Sequence, residues 1–228
     1  MRRKGTNYTL LRQSSSSARR IELTCLLQML SRQSFWTASF QYLMLVENAA
    51  HEIVAHRNTW VMVKDFENGP ITPEEYAAAT RWSDHTTIIP LLFNLLHGIE
   101  LLIKGFILTD PDEDPKKSHD IIDLCSRFFH LFPNEAVLND FFHKYTCEYA
   151  MPDILKRFLR DNRIDIRSMY QSLRYPSPDF QLMRDYSGLK YRGEEGIHVF
   201  SDLKTEILEV RKRTVILGRS FEPQGGNP

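Results

Sequence analysis

Residues 88–104 read Ile-Ile-Pro-Leu-Leu-Phe-Asn-Leu-Leu-His-Gly-Ile-Glu-Leu-Leu-Ile-Lys. Wound as a helix at about 100° per residue, this stretch puts Asn94, His97, Glu100 and Lys104 within about 120° of one another. The rest of the girth carries Leu92, Leu95, Leu96, Ile99, Leu102, Ile103 and, just beyond, Phe106. A helix that is apolar over most of its circumference needs neighbours on most sides, so a central place in a helical domain is predicted. Its polar strip is then left facing a groove, a partner or its own ion pairs.

Helical periodicity continues from Phe35 onward, and no alternating run is long enough for a sheet. Trp36, Phe40, Leu43, Ala50, Ile53 and Val54 predict a first helix to about Trp60. Asn68-Gly69-Pro70 breaks the chain. Thr72-Pro73-Glu74-Glu75 predicts a new start, with Thr72 as cap, Pro73 in the first turn and Glu75 closing a capping box. Ser83 or Asp84 opens the apolar helix. After the acidic loop Thr109–Lys117, Ser118 or Asp120 can cap a helix that turns Ile121, Leu124, Cys125 and Phe128 inward. Pro133-Asn134 starts another, to about Tyr149. Pro152 to Leu173 reads as one more, stopping before Arg174-Tyr175-Pro176. A long polar loop leads to a last helix on Phe200, Leu203, Ile207, Val210, Thr214 and Leu217, halted by Gly218. The expected fold class is all-α, a single helical bundle of about six helices over residues 35–218. Residues 1–34, basic and Ser-rich, are expected to be a disordered segment, and residues 219–228 a loose tail.

The 228 residues carry 29 basic and 29 acidic side chains, a formal net charge of zero. Duplex DNA is recognised by strongly basic domains, so it is excluded as a partner, whereas a local phosphate site is not. Cys25, Cys125 and Cys147 form no spaced pair. Neither a disulfide framework nor a Cys-type zinc site follows, and a reducing cytoplasm is the expected location. Uninterrupted apolar runs fall short of the roughly 18–20 residues that cross a bilayer, so no membrane partner is expected. His51-Glu52 is followed by His56. Five residues put the two imidazoles about 140° apart on a helix, which is the wrong spacing for a zinc-protease pair. No metal and no cofactor is expected. Nucleophile elbows and Gly-rich phosphate loops are absent from the sequence.

What remains is an ordered set of short motifs. Glu100-Leu-Leu-Ile-Lys104 lies on the apolar helix, His119-Asp120-Ile121 opens the next, and Arg174-Tyr175-Pro176 ends a later one. Leu189-Lys-Tyr-Arg192 then precedes the last helix. In this order, over about Tyr76 to Leu217, the chain resembles the HEPN superfamily, helical bundles of prokaryotic defence and toxin systems and of eukaryotic stress proteins. The resemblance implies an up-and-down helical core, a homodimer, and RNA or a nucleotide as the bound partner. Many HEPN proteins are metal-independent ribonucleases marked by an Arg followed one to two helical turns later by a His, two copies meeting across the dimer. Arg192 and His198 have such a spacing. An imidazole can move a proton on or off a ribose 2′-hydroxyl, and a guanidinium can clamp the phosphate. The resemblance thus implies His198 as the acid–base and Arg192 as the clamp, with Arg174, Tyr175, His119, Lys104, Glu100 and His97 lining the substrate groove. Gly193 follows the Arg where the family pattern commonly has a polar residue, and Glu194 and Glu195 repel a phosphate unless turned away. Capping the last helix is the alternative role for Arg192 and His198. An internal ion-pair network is the alternative for Glu100, Lys104 and Arg174. The rival function is a non-catalytic interaction module that keeps the bundle without the chemistry.

Overall fold

The computed structural model describes residues 9–61, 70–115, 118–175 and 185–221, with side chains from residue 27 onward. They form α1 (Thr9–Ala55), α2 (Pro73–Thr80), α3 (Asp84–Ile107), α4 (Ile121–Leu131), α5 (Ala136–Thr146), α6 (Asp153–Asp161), α7 (Ile166–Arg174) and α8 (Gly193–Arg219), with a short 3-10 turn at Tyr186–Leu189. Strands are absent among the described residues, which agrees with the all-α expectation. Eight α-helices stand there in place of about six.

The apolar girth of α3 puts it at the centre. Leu95, Leu96, Ile99, Leu102, Ile103 and Phe106 are all 1% exposed or less. α1, α4 and α7 pack around it. α1 contributes Leu43, Val46, Ala50 and Ile53, and α8 lies against α1 with Phe200, Leu203, Ile207 and Val210 buried. Aromatic rings of α4 and α5 close another side. The Phe128 centroid stands 5.5 Å from that of Phe106 and 4.8 Å from that of Phe142, both edge-on. That geometry sets ring edges against ring faces, and each such side chain contributes roughly 1.5–3 kcal/mol by burial. By length and mean hydropathy α3 is the one candidate membrane span among the described residues, yet 56% of that window is buried inside the bundle.

Glycine makes the α1–α3 contact close. A Cβ at Gly98 would stand 2.9 Å from Leu43, and one at Gly105 would stand 2.4 Å from the Trp36 indole. Between them Ser39 Oγ donates to the Gly98 carbonyl at 2.7 Å.

Several boundaries differ from the sequence expectations. α1 runs back to Thr9, into the basic, Ser-rich segment. Neither Gly nor Pro occurs between Thr9 and Ala55, so no strong breaker stops the helix. It ends at Ala55 rather than near Trp60, where Arg57 takes φ 50°. The helix expected over Pro152–Leu173 is two helices. The Asn162 amide donates to the Phe158 carbonyl at 3.0 Å, Arg163 turns to φ 52°, and the Asp165 carboxylate accepts from Ser168 N at 2.8 Å to cap α7. Asp120, not Ser118, caps α4, accepting from Ile122 N at 3.0 Å. The capping box is present, with Thr72 N donating to Glu75 at 2.9 Å and Glu75 N to Thr72 Oγ1 at 3.2 Å. Residues 1–8, most of the expected tail, Pro176 and the loop to residue 184 lie outside the described residues.

Candidate functional site

Glu100 lies mid-α3, 1% exposed, and its carboxylate gathers donors from three elements. One turn on, the buried Lys104 Nζ donates to Oε1 at 2.8 Å. From the loop before α4, His119 Nδ1 lies 2.8 Å from the same oxygen. From α7, Tyr170 Oη donates to Oε2, and the Arg174 guanidinium stands 3.7 Å from it. His97 Nδ1 is 3.8 Å from Oε2 and 3.0 Å from Tyr170 Oη. Because the phenol proton is committed to the carboxylate, His97 Nδ1 supplies the hydrogen to the phenol oxygen. His97, Glu100, Lys104, His119 and Arg174 therefore converge at one point. Tyr170, which no motif singled out, is the sixth member. It sits one helical turn before Arg174, so an inward-facing Arg174 brings it to the same wall.

Burial by itself raises the Glu100 pKa, yet the nearby His97 ring and the hydrogen bonds from Lys104, Tyr170 and His119 outweigh it and hold the carboxyl well below its usual range. Tyr170 moves the other way. Burial first, then its bond to the Glu100 carboxylate, pushes the phenol well above its usual value. At neutral pH Glu100 is a fixed anion and Tyr170 a fixed donor.

Beside this cluster opens a hollow of about 330 Å³ lined by His119, Asp120, Arg167, Tyr170, Arg174 and Tyr175, with Ile121 and Gln171. Arg167 pairs with Asp120 at 2.9 Å and is half exposed. The Arg174 guanidinium lies 5.3 Å from the Tyr170 ring centroid and 5.5 Å from that of Tyr175, itself 59% exposed. Arg167 and Arg174 line the hollow against the Asp120 carboxylate, with the His119 imidazole beside them, while Lys104 stays buried on Glu100. A concave site with two guanidinium groups, one carboxylate and an exposed aromatic ring suits a small anion that carries a ring.

Comparison with family models, curated proteins and solved structures finds no match.

Arg192 and His198 stand apart from the hollow, and neither lines it. Arg192 is the residue before α8, its Nε donating to the Gly188 carbonyl at 2.6 Å. His198 is exposed on α8. Six helical residues put about 120° between two positions. No hydrogen bond or ion pair joins them among the described residues. Glu194 pairs with Arg57, and Glu195 binds Arg157 at 2.6 Å, so both acids next to Arg192 are engaged. Among the described residues no three His, Cys, Asp or Glu side chains are grouped to hold a metal ion.

A buried acid holds the turn into α8. Asp84 is 0% exposed; its Oδ2 accepts from Tyr191 N at 2.7 Å, while Oδ1 has no partner among the described residues. Tyr191 and Gly193 take φ 57° and 55°, and Gly193 N donates to the Thr59 carbonyl at 2.8 Å. Burial raises the Asp84 pKa, only partly opposed by the backbone N–H groups of Tyr191, Arg192 and His85. A raised folded pKa means that the native state holds this proton more tightly than the unfolded chain. Stability from this group therefore falls as pH rises from near 3.8 through the folded value. Asp84→Asn keeps an oxygen for Tyr191 N and removes the ionisation. Urea denaturation at a series of pH values should show the variant gaining on the wild type between about pH 4 and pH 7. A constant difference across that range would mean that ionisation of Asp84 does not matter to stability.

Proposed function

We propose that this chain is a HEPN-like protein that binds RNA or a nucleotide in the hollow between the start of α4 and α7. The observation that carries the reading is the Glu100 cluster. One buried carboxylate ties His119 and Arg174 in place, and both of these line the hollow. Donors already ordered lose little freedom on accepting a phosphate, and a guanidinium offers it two parallel hydrogen bonds. The exposed Tyr175 supplies a ring face for a base. A cytoplasmic homodimer without metal or cofactor belongs to the same reading, through the resemblance. A metal-independent ribonuclease is its enzymatic form, with Arg192 and His198 contributed by two copies. The ion pairs that occupy Glu194 and Glu195 favour that form, because they remove the repulsion next to Arg192.

Calorimetric titration with uridine and adenosine monophosphates should detect binding, and Arg174→Ala should weaken it at least about tenfold while circular dichroism stays unchanged. Equal uptake by both proteins, or none at millimolar nucleotide, leaves the non-catalytic interaction module. For the enzymatic form, mixed RNA is incubated with each protein in chelator. Cleavage by the wild type but not by His198→Ala supports the pair, whereas equal cleavage removes His198 as the catalyst.

A further inference from the structure

A larger groove of about 1030 Å³ lies at the amino-terminal ends of α4 and α7, which also bound the hollow. Ile121 and Arg167 line the hollow, and their chain neighbours Ile122 and Ile166 line the groove. Its floor is apolar, with Leu159 and Ile166 buried. Lys156, Arg160 and Arg163 stand along it, and Tyr149, 75% exposed, lies beside them. Lys156 and Arg160 are one turn of α6 apart, about 6 Å along the axis, comparable to the step between phosphates of an extended strand. Their pairs with Asp153 at 3.6 Å and Asp161 at 3.2 Å are at the surface, weak, and readily exchanged for a phosphate. Of the two acids that also line the groove, Asp165 is committed to capping α7, and Glu148 stands next to Tyr149.

Arg163 is the informative residue. It is exposed and makes no side-chain hydrogen bond or ion pair among the described residues. Its φ of 52° is a conformation in which Gly or Asn is the unstrained choice at a helix end. An arginine here does nothing for the turn, but it adds a free cation to the groove.

We propose that the groove carries the backbone of single-stranded RNA whose end nucleotide occupies the hollow. This rests on the nucleotide reading of the hollow and extends its ligand from a mononucleotide to an oligoribonucleotide. Cations along an apolar trough with an exposed aromatic ring are what a flexible strand with stacking bases requires.

The test measures anisotropy of a fluorescent octauridylate on the full chain, beside calorimetry with uridine monophosphate. The octamer should bind at least about tenfold more tightly than the monophosphate, and Tyr149→Ala should weaken it roughly fivefold or more. Arg163→Gly should weaken the octamer several-fold and flatten the log–log salt dependence by about 0.7, leaving monophosphate affinity at the wild-type value. Since glycine relieves the left-handed arginine, the Tm of Arg163→Gly should hold or rise by about 2–4 °C, which separates lost binding from lost fold. Monophosphate binding with an octamer no tighter overturns the groove and leaves the hollow standing. Octamer binding untouched by both substitutions overturns it as well. Displacement by a hexaglutamate peptide as effective as by unlabelled octamer marks a site for acidic protein segments and ends the RNA proposal. If neither nucleotide ligand binds, both readings fall.

Discussion

Glu100→Gln should lower stability by roughly 3–5 kcal/mol, the cost of leaving a buried charge without its counter-ion. For a chain of this length that is a drop in Tm of about 10 °C or more, read by calorimetry. Lys104 is the reason. Its side chain is 3% exposed and its ammonium donates to Glu100 at 2.8 Å, so water does not replace the lost partner. Arg174 and His119 lose the same anchor, although both reach solvent more readily. Removing both ends of the buried pair should cost less than removing one. Glu100→Leu with Lys104→Leu should therefore be more stable than Glu100→Leu alone. The pH profile gives a second check. A depressed folded pKa means that the Glu100 contribution is complete above the unfolded value near 4.5 and is lost only as pH falls through the lower folded value. Wild type and Glu100→Gln should therefore converge only in acid, below about pH 4. A gap of the same size at pH 3 and pH 7 would show that charge is not its source.

The convergence on Glu100 was half legible in the sequence, for different reasons at different residues. The strip Asn94, His97, Glu100 and Lys104 follows from helical period alone, because residues three and four apart share a face. His119 and Arg174 came from motif order, since no periodicity links residues so far apart in the chain. Tyr170 was missed, although its place one turn before Arg174 is a readable signal. The break between α6 and α7 was hidden because apolar residues run on through it: Leu155, Phe158 and Leu159 precede Asn162-Arg163, and Ile166 and Met169 follow. Neither Gly nor Pro marks that turn, and a left-handed arginine is a poor signal in advance. Asp84 was invisible as a buried acid, because an Asp at a helix start looks like an ordinary favourable end charge. Its burial depends on the distant 190–193 segment folding over it.

Gly105→Ala should destabilise the fold by about 2 kcal/mol, even though alanine suits a helix interior better than glycine by about 1 kcal/mol. The added Cβ would meet the Trp36 indole at 2.4 Å, too close for any adjustment smaller than moving the ring. The ring has little room to move. It stands 5.0 Å from the Phe106 ring and 6.5 Å from that of Phe221. A Cβ on Gly218 would come within 3.1 Å of its far edge, so α8 closes that side. Gly98, two turns earlier on α3, meets Leu43 in the same way, and the two contacts together hold α1 against α3. Pushing Trp36 outward therefore separates α1 from α3 rather than rotating one side chain. Trp36→Leu in the Gly105→Ala background should recover part of the loss, a coupling of about 1 kcal/mol or more in urea denaturation. Simple additivity of the two substitutions would place the strain elsewhere. A gain in stability from Gly105→Ala alone would mean that the indole swings free, and that Leu43 over Gly98 is enough to set the distance between the helices.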